Sequence, residues 1–241
     1  MTGMALGTGV AAAQALVARM AAVAPETPQP VDKKAETAPD PFINCGPSAG
    51  NRIALTFDDG PTPGVTDRIL DELKQRGLHA TFFMIGEKIA ESPELARRVA
   101  AEGHEIGNHT FTHPKLNTLP DQQAALEIQQ AQDIVGEIVQ KHPVTFRPPY
   151  LAFRKNQAPI AHTKGLQIIC GDVDSHDWSQ PGEDKIIQEI LSKTKSGSII
   201  ICHDLYPQTA NCIGHILDEF LKCKFNFTTI SSLLAPSQIV S

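Results

Sequence analysis

The sequence predicts an α/β fold in which parallel strands are joined by crossover helices, and three observations carry that expectation. From Arg52 onward, short apolar runs of β-type residues alternate with amphipathic stretches of helical period. About seven such strand–helix steps fit into roughly 190 residues, which suits either a (β/α) barrel or a doubly wound sheet. The unusual polar clusters all fall directly after candidate strands, at the carboxyl edge where sites form in both architectures. The expected strands span 53–56, 80–85, 105–107, 144–147, 167–173, 198–202 and 226–230. The expected helices span 65–76, 93–102, 120–141, 157–164, 183–195 and 209–222.

The first strand leads into Thr56-Phe57-Asp58-Asp59-Gly60-Pro61. Adjacent carboxylates on extended backbone point in different directions, so one can hold a metal while the other meets a water. Alone, Asp-Asp-Gly-Pro is also simply a good turn. The third strand leads into Asn108-His109-Thr110-Phe111-Thr112-His113. Histidines four apart lie on one face of a helical turn and, with Asp59, make a three-ligand site that leaves a position open. The H-E-x-x-H protease helix has a glutamate beside its first histidine; Thr110 stands there, so a base must come from elsewhere, and Asp58 is the obvious supplier.

After the fourth strand comes Arg147-Pro148-Pro149-Tyr150. Two prolines fix the backbone and remove two donors, so the Tyr150 N–H is the next one available to a developing oxyanion. The fifth and sixth strands lead into Asp174-Ser175-His176-Asp177-Trp178 and Ile201-Cys202-His203-Asp204. A histidine just past a buried strand, with a carboxylate to orient and charge it, is what a general acid requires. Trp178, the only tryptophan, is either core or a platform beside such an acid.

Composition removes several function classes. The net charge is −6, and no basic run exceeds the pairs Lys33-Lys34 and Arg97-Arg98, so neither nucleic acid nor an anionic membrane surface is expected as a partner. There is no glycine-rich phosphate loop of Walker or dinucleotide spacing, which sets aside phosphoryl and hydride transfer. Five cysteines without C-x-x-C spacing suggest neither a zinc ribbon nor a thioredoxin-like site; buried thiols and a single disulfide both stay open. Residues 5–18 are Ala-rich and apolar, and Ala22-Val23-Ala24 has the small-x-small form of a signal-peptidase site, although Arg19 interrupts the run. Residues 25–41 are rich in Pro and charge, as in a linker. Residues 1–41 are therefore expected to be a signal or anchor remnant plus linker, and 42–241 the catalytic domain. No other stretch approaches the roughly 18 apolar residues of a membrane span.

The five clusters, in this order, resemble the polysaccharide deacetylase family, also called the NodB-homology family or carbohydrate esterase family 4. The similarity runs over 52–234 and extends to Thr81-Phe82-Phe83, Gly103-His104-Glu105-Ile106-Gly107-Asn108-His109 and Phe227-Thr228-Thr229-Ile230-Ser231. The resemblance implies a distorted (β/α) barrel of about seven parallel strands and one divalent metal held by Asp59, His109 and His113. Zn²⁺ suits one carboxylate and two imidazoles, with Co²⁺, Ni²⁺ or Mn²⁺ also admitted. It further implies that Asp58 is the base, oriented by Arg147; that Tyr150 offers its backbone N–H to the oxyanion; that His203 is the acid, tuned by Asp177; and that Trp178 and Ile201 flank the acetate pocket. The implied partner is an acetylated polysaccharide or oligosaccharide, of peptidoglycan or chitin type, met outside the cytoplasm, with no obligate protein partner. An O-acetyl esterase, or a silent glycan- or metal-binding module on the same fold, is the rival expectation. Two departures from the family pattern stand out: Leu151 where a glycine is frequent, and Tyr206 where a histidine is frequent.

Overall fold

The structure is a computed structural model and describes residues 40–235; the expected leader and linker lie outside the described residues except for Asp40 and Pro41. The strands are β1 Phe42–Ile43, β2 Arg52–Asp58, β3 Thr81–Met84, β4 Glu105–Asn108, β5 Thr145–Phe146, β6 Gln167–Ile169, β7 Val173–Asp174, β8 Ile199–His203 and β9 Asn226–Phe227. The helices are α1 Thr66–Gln75, α2 Gly86–Glu91, α3 Pro93–Ala101, α4 Asp121–Val139, α5 Ala158–His162, α6 Glu183–Lys193, α7 Pro207–Lys222 and α8 Ile230–Leu234.

Every strand pairing is parallel, in the order β1-β6-β5-β4-β3-β2-β8-β7, with β9 beside the start of β2. Strands β6 and β7 lie toward opposite edges of this sheet, yet only Cys170, Gly171 and Asp172 join them. That link reaches at most about 14 Å, so the sheet must curl until its edges meet. The result is a half-barrel with helices around it, the distorted (β/α) barrel that the family resemblance implied rather than the doubly wound sheet the pattern of elements also allowed.

Alternation along the strands sorts the side chains. Ile53, Leu55 and Phe57 of β2, Phe82 and Met84 of β3, and Ile200 and Cys202 of β8 face outward into a core shared with α1, α2, α3, α4, α6 and α7. The intervening Ala54, Phe83 and Ile199 face inward and meet Ile230 and Leu233 of α8, which plugs the bottom of the barrel. The Ser231 N–H and hydroxyl both donate to Glu105, at 2.8 and 2.9 Å, fixing that plug. Each buried Ile, Leu or Phe contributes on the order of 1.5–3 kcal/mol. The outer layer, with the larger apolar cluster, thus carries most of the stability, and the upper end of the inner row is free to carry Thr56, Asp58 and His203.

Three local expectations are corrected. The strand expected over 167–173 is two, because the chain changes sheet edge there: the Cys170 N–H donates to the Ile43 carbonyl of β1 at 2.7 Å and the Asp172 N–H to the Ile199 carbonyl of β8 at 3.2 Å; Gly171 makes the crossing, where a Cβ would stand 2.7 Å from Ile201 Cγ1. The strand expected over 226–230 stops at Phe227, since Thr229 caps α8 by accepting the Ser232 N–H. Strand β1 and helices α2 and α8, too short for a periodic signal, went unpredicted. All five cysteines are free, so no bridge is present. No described helix is long and apolar enough to cross a membrane.

Candidate active site

Strand register assembles the site. Asp58, the last residue of β2, is the lateral partner of His203, the last residue of β8. The His109 N–H donates to the Met84 carbonyl at 3.1 Å, and the Arg147 N–H donates to the Asn108 carbonyl at 3.0 Å, so the residues just past β4 and β5 arrive at the same level. There a cavity of about 440 Å³ opens, lined by Asp58, Asp59, His109, His113, Tyr150, Trp178, Ile201 and His203. Of the residues picked out from sequence, only Arg147 and Asp177 do not line it; both are fully buried behind it.

Arg147 is a cation at the centre of the barrel, 0% exposed. Its Nη1 donates to Asp58 Oδ1 and Thr56 Oγ1, both at 2.6 Å, and its Nη2 donates to the Cys170 carbonyl at 2.6 Å. The Phe83 ring lies 4.2 Å from the guanidinium carbon. A buried charge is tolerated only with partners of this kind, and the rigid guanidinium fork fixes the Asp58 carboxylate in orientation.

Asp59, His109 and His113 each offer one ligand atom, all within 4.8 Å of one another. The Nε2 atoms of His109 and His113 stand 3.3 and 3.0 Å from Asp59 Oδ1, a buried oxygen without a directed hydrogen bond. Burial pushes the Asp59 carboxyl up, but the two imidazoles outweigh it and hold the group well below the usual carboxylate range. His109 Nδ1 donates to the Arg147 carbonyl at 2.7 Å, so in the neutral ring Nε2 is the nitrogen whose lone pair is free. An orphaned buried oxygen facing two imidazole nitrogens, one of a fixed tautomer, fits a divalent ion of zinc type with coordination left open.

The histidines do not converge on a helical turn, as their spacing led us to expect. Residues 109–113 form an irregular loop in which Thr110 (φ 65°) and His113 (φ 62°) are left-handed. The turn is imposed by hydrogen bonds: the Thr110 N–H donates to Asn108 Oδ1 at 2.9 Å and the His113 N–H to Thr110 Oγ1 at 3.1 Å. Asp59 is also left-handed, at φ 74°. Beneath it, buried Asp204 accepts from Thr66 Oγ1 at 2.6 Å, and a Cβ at position 60 would fall 2.0 Å from Asp204 Oδ2, so only glycine fits. Burial, aided by the Asp59 charge and opposed by the Thr66 hydrogen bond, pushes the Asp204 carboxyl up to about 7.

His203 Nδ1 lies 2.6 Å from Asp177 Oδ1, while Asp177 Oδ2 accepts the His203 N–H at 2.8 Å and the Thr209 hydroxyl at 2.6 Å. Burial alone disfavours the imidazolium; the Asp177 hydrogen bond and charge, with Asp58 and Asp59 beyond, raise His203 to about 9. With Nδ1 engaged, Nε2 is the atom left to give a proton. At the rim, Tyr150 and Trp178 remain 63% and 52% exposed, unusual for large aromatics and suited to stacking on a sugar face. Leu151 has φ 51°, the left-handed backbone that glycine adopts freely, and both Leu151 and Tyr206 line the cavity. Pro148 and Asp174 also line it without having been singled out as site residues. The supports Thr66 and Thr209 were missed as well. Each is distant in sequence from the group it holds, and no motif marks it.

The sequence profile of the polysaccharide deacetylase family matches residues 46–169, and the chain belongs to that family. It is 36% identical over 182 residues to the peptidoglycan-N-acetylglucosamine deacetylase PgdA of Listeria monocytogenes serotype 1/2a, covering 76% of this chain but only 38% of that longer protein. It is 39% identical over 166 residues to a chitooligosaccharide deacetylase of Bradyrhizobium sp., covering 68% of this chain and 76% of that one. Among solved structures, the Bc1960 peptidoglycan N-acetylglucosamine deacetylase superposes with a TM-score of 0.78 at 32% identity, over 82% of this chain and 94% of that one. A pseudoenzyme of the same family from Bacillus anthracis superposes with a TM-score of 0.77 at 25% identity, over 82% of this chain and 70% of that one.

Proposed function

We propose that this chain is a metal-dependent N-acetyl deacetylase of N-acetylglucosamine-containing glycans of peptidoglycan or chitin type, acting outside the cytoplasm. The observation that carries the reading is the convergence, in one cavity, of a three-ligand metal set, an arginine-held carboxylate and a carboxylate-held histidine. Relatives named for both glycan types support the substrate class. Asp59, His109 and His113 would hold the ion, Zn²⁺ by preference with Co²⁺, Ni²⁺ or Mn²⁺ admitted by the same donors. When bound, such an ion polarises the acetyl carbonyl and lowers the pKa of a coordinated water.

The chain's own groups divide the remaining work. Asp58, fixed by Arg147, takes the proton of the attacking water. The Tyr150 N–H donates to the carbonyl oxygen as negative charge develops on it. His203, kept protonated through neutral pH by Asp177, gives its proton to the departing nitrogen, which is a poor leaving group until then. Trp178 and Ile201 wall the space for the methyl group. Every residue given a role in this reading is present, lining the pocket or, for Arg147 and Asp177, buried behind it, which favours an active enzyme over a silent module.

Acetate release by metal-loaded protein tests this. Release from N-acetylglucosamine oligomers or peptidoglycan, well above that from acetylated xylan, is the expected result. Preferential release from xylan would make the chain an O-acetyl esterase. No release from any of the three would support a silent module.

A further inference from the structure

The loop that carries two of the proposed metal ligands is gripped from outside the site by a residue that touches neither. Hydrogen bonds within the loop secure its ends through Asn108 and Thr110, but leave its middle, Phe111 and Thr112, to other partners. The carbonyl side of the loop is met by α2: the Gly86 N–H donates to the Thr110 carbonyl and the Glu87 N–H to the Phe111 carbonyl, both at 3.0 Å. The amide side is met by Glu127 alone among the hydrogen bonds described. Its Oε2 accepts the Phe111 and Thr112 N–H groups at 3.0 and 2.8 Å, and its Oε1 accepts the Thr112 hydroxyl at 2.7 Å.

Glu127 sits on α4, and the same helix anchors the start of the loop. Asn108 Nδ2 donates to the Ile128 carbonyl at 2.9 Å and to Gln132 Oε1 at 3.0 Å. One rigid element therefore holds both the residue before His109 and the peptide between the two histidines. The grip opposes a real tendency to relax, because a β-branched threonine at φ 65° and a histidine at φ 62° are both in backbone that L-residues avoid. Without Glu127, α2 and the buried Phe111 side chain still hold the carbonyl side, but the Phe111 and Thr112 amides lose their acceptor, and the backbone from Thr112 onward would relax and carry His113 away from Asp59.

We propose that Glu127 is a positioning residue for the metal centre, setting the aim of His113 relative to His109 by clamping Phe111 and Thr112 to α4. The proposal rests on the metal-site reading above. Outer partners that orient metal ligands typically change affinity by about 10–100-fold when removed, so Glu127→Ala is expected to weaken Zn²⁺ binding by about that factor. Glutamine keeps an acceptor, but neutral hydrogen bonds are roughly half as strong as charged ones. Glu127→Gln should therefore lose only about 3–10-fold.

The experiment is Zn²⁺ affinity by competition with a chelating dye, on chelator-stripped parent, Glu127→Ala, Glu127→Gln and Thr112→Val proteins, with thermal unfolding of each metal-free form alongside. A graded loss of affinity, Ala worse than Gln, at temperatures where every variant is folded, is the expected result. A lowered Tm with parental affinity would make Glu127 a stability residue only and overturn the proposal. Should Glu127→Ala not fold, parental affinity in both Glu127→Gln and Thr112→Val overturns it equally. A parent that binds no Zn²⁺ removes the metal site itself, a different failure from a parent that binds and variants that bind as well.

Discussion

His113→Ala loses metal and activity together. His113 Nε2 faces Asp59 Oδ1 at 3.0 Å from a left-handed backbone position, and alanine leaves Asp59 and His109 as a two-ligand set. Removing a direct ligand should cost more than the about 10–100-fold in affinity that follows loss of an outer partner. The variant should then carry far less ion per chain than the parent under the same conditions, with acetate release falling in step. The fold should survive, because His113 lies in a surface loop at the mouth and the apolar layers do not depend on it. Metal content after gel filtration, measured with the acetate rate, checks the coupling; a variant that keeps its ion would mean the ligand set is wrong.

Asp58→Asn should separate what His113→Ala joins. Asparagine is nearly isosteric and offers Arg147 an acceptor, but it cannot take a proton. Loss of a general base costs about 10²–10⁴-fold, so turnover should drop by that order while one ion per chain is retained. Deleting one partner of a buried ion pair outright costs about 3–5 kcal/mol. The retained acceptor should hold the loss below that, so the variant should fold. Turnover near the parental rate would move the base to another group, and loss of the ion would mean that Asp58 and Asp59 do not divide the work as assigned.

Much of the site was legible because of where its parts fall in sequence. Each polar cluster follows a short apolar run, and in a parallel α/β fold the carboxyl ends of strands share one rim; Asp58, His109, Arg147 and His203 could thus be grouped before any contact was known. How they meet was not legible. The pairing of Asp58 with His203 is a matter of strand register across 144 intervening residues. The histidine spacing suggested a helix, but Thr110 and His113 take left-handed backbone, and the His113 N–H, which a helical turn would give to the His109 carbonyl, goes to the Thr110 hydroxyl instead; Asn108 and Glu127 hold the intervening amides of this loop. The break at Gly171 reflects a change of hydrogen-bond partner, from Ile43 at Cys170 to Ile199 at Asp172, on a strand that arrives later in the chain and that periodicity cannot register. Asp204 was visible as the neighbour of His203. Its place beneath Gly60 belongs to tertiary structure.

One divalent ion at Asp59, His109 and His113 should be required for a deacetylation that Asp58 and His203 complete. The most direct test is acetate release from N-acetylglucosamine oligomers by parent protein stripped with chelator and titrated with Zn²⁺. Release should vanish on stripping and return to a plateau at one ion per chain. Release that survives complete stripping, or none at full occupancy, contradicts the account.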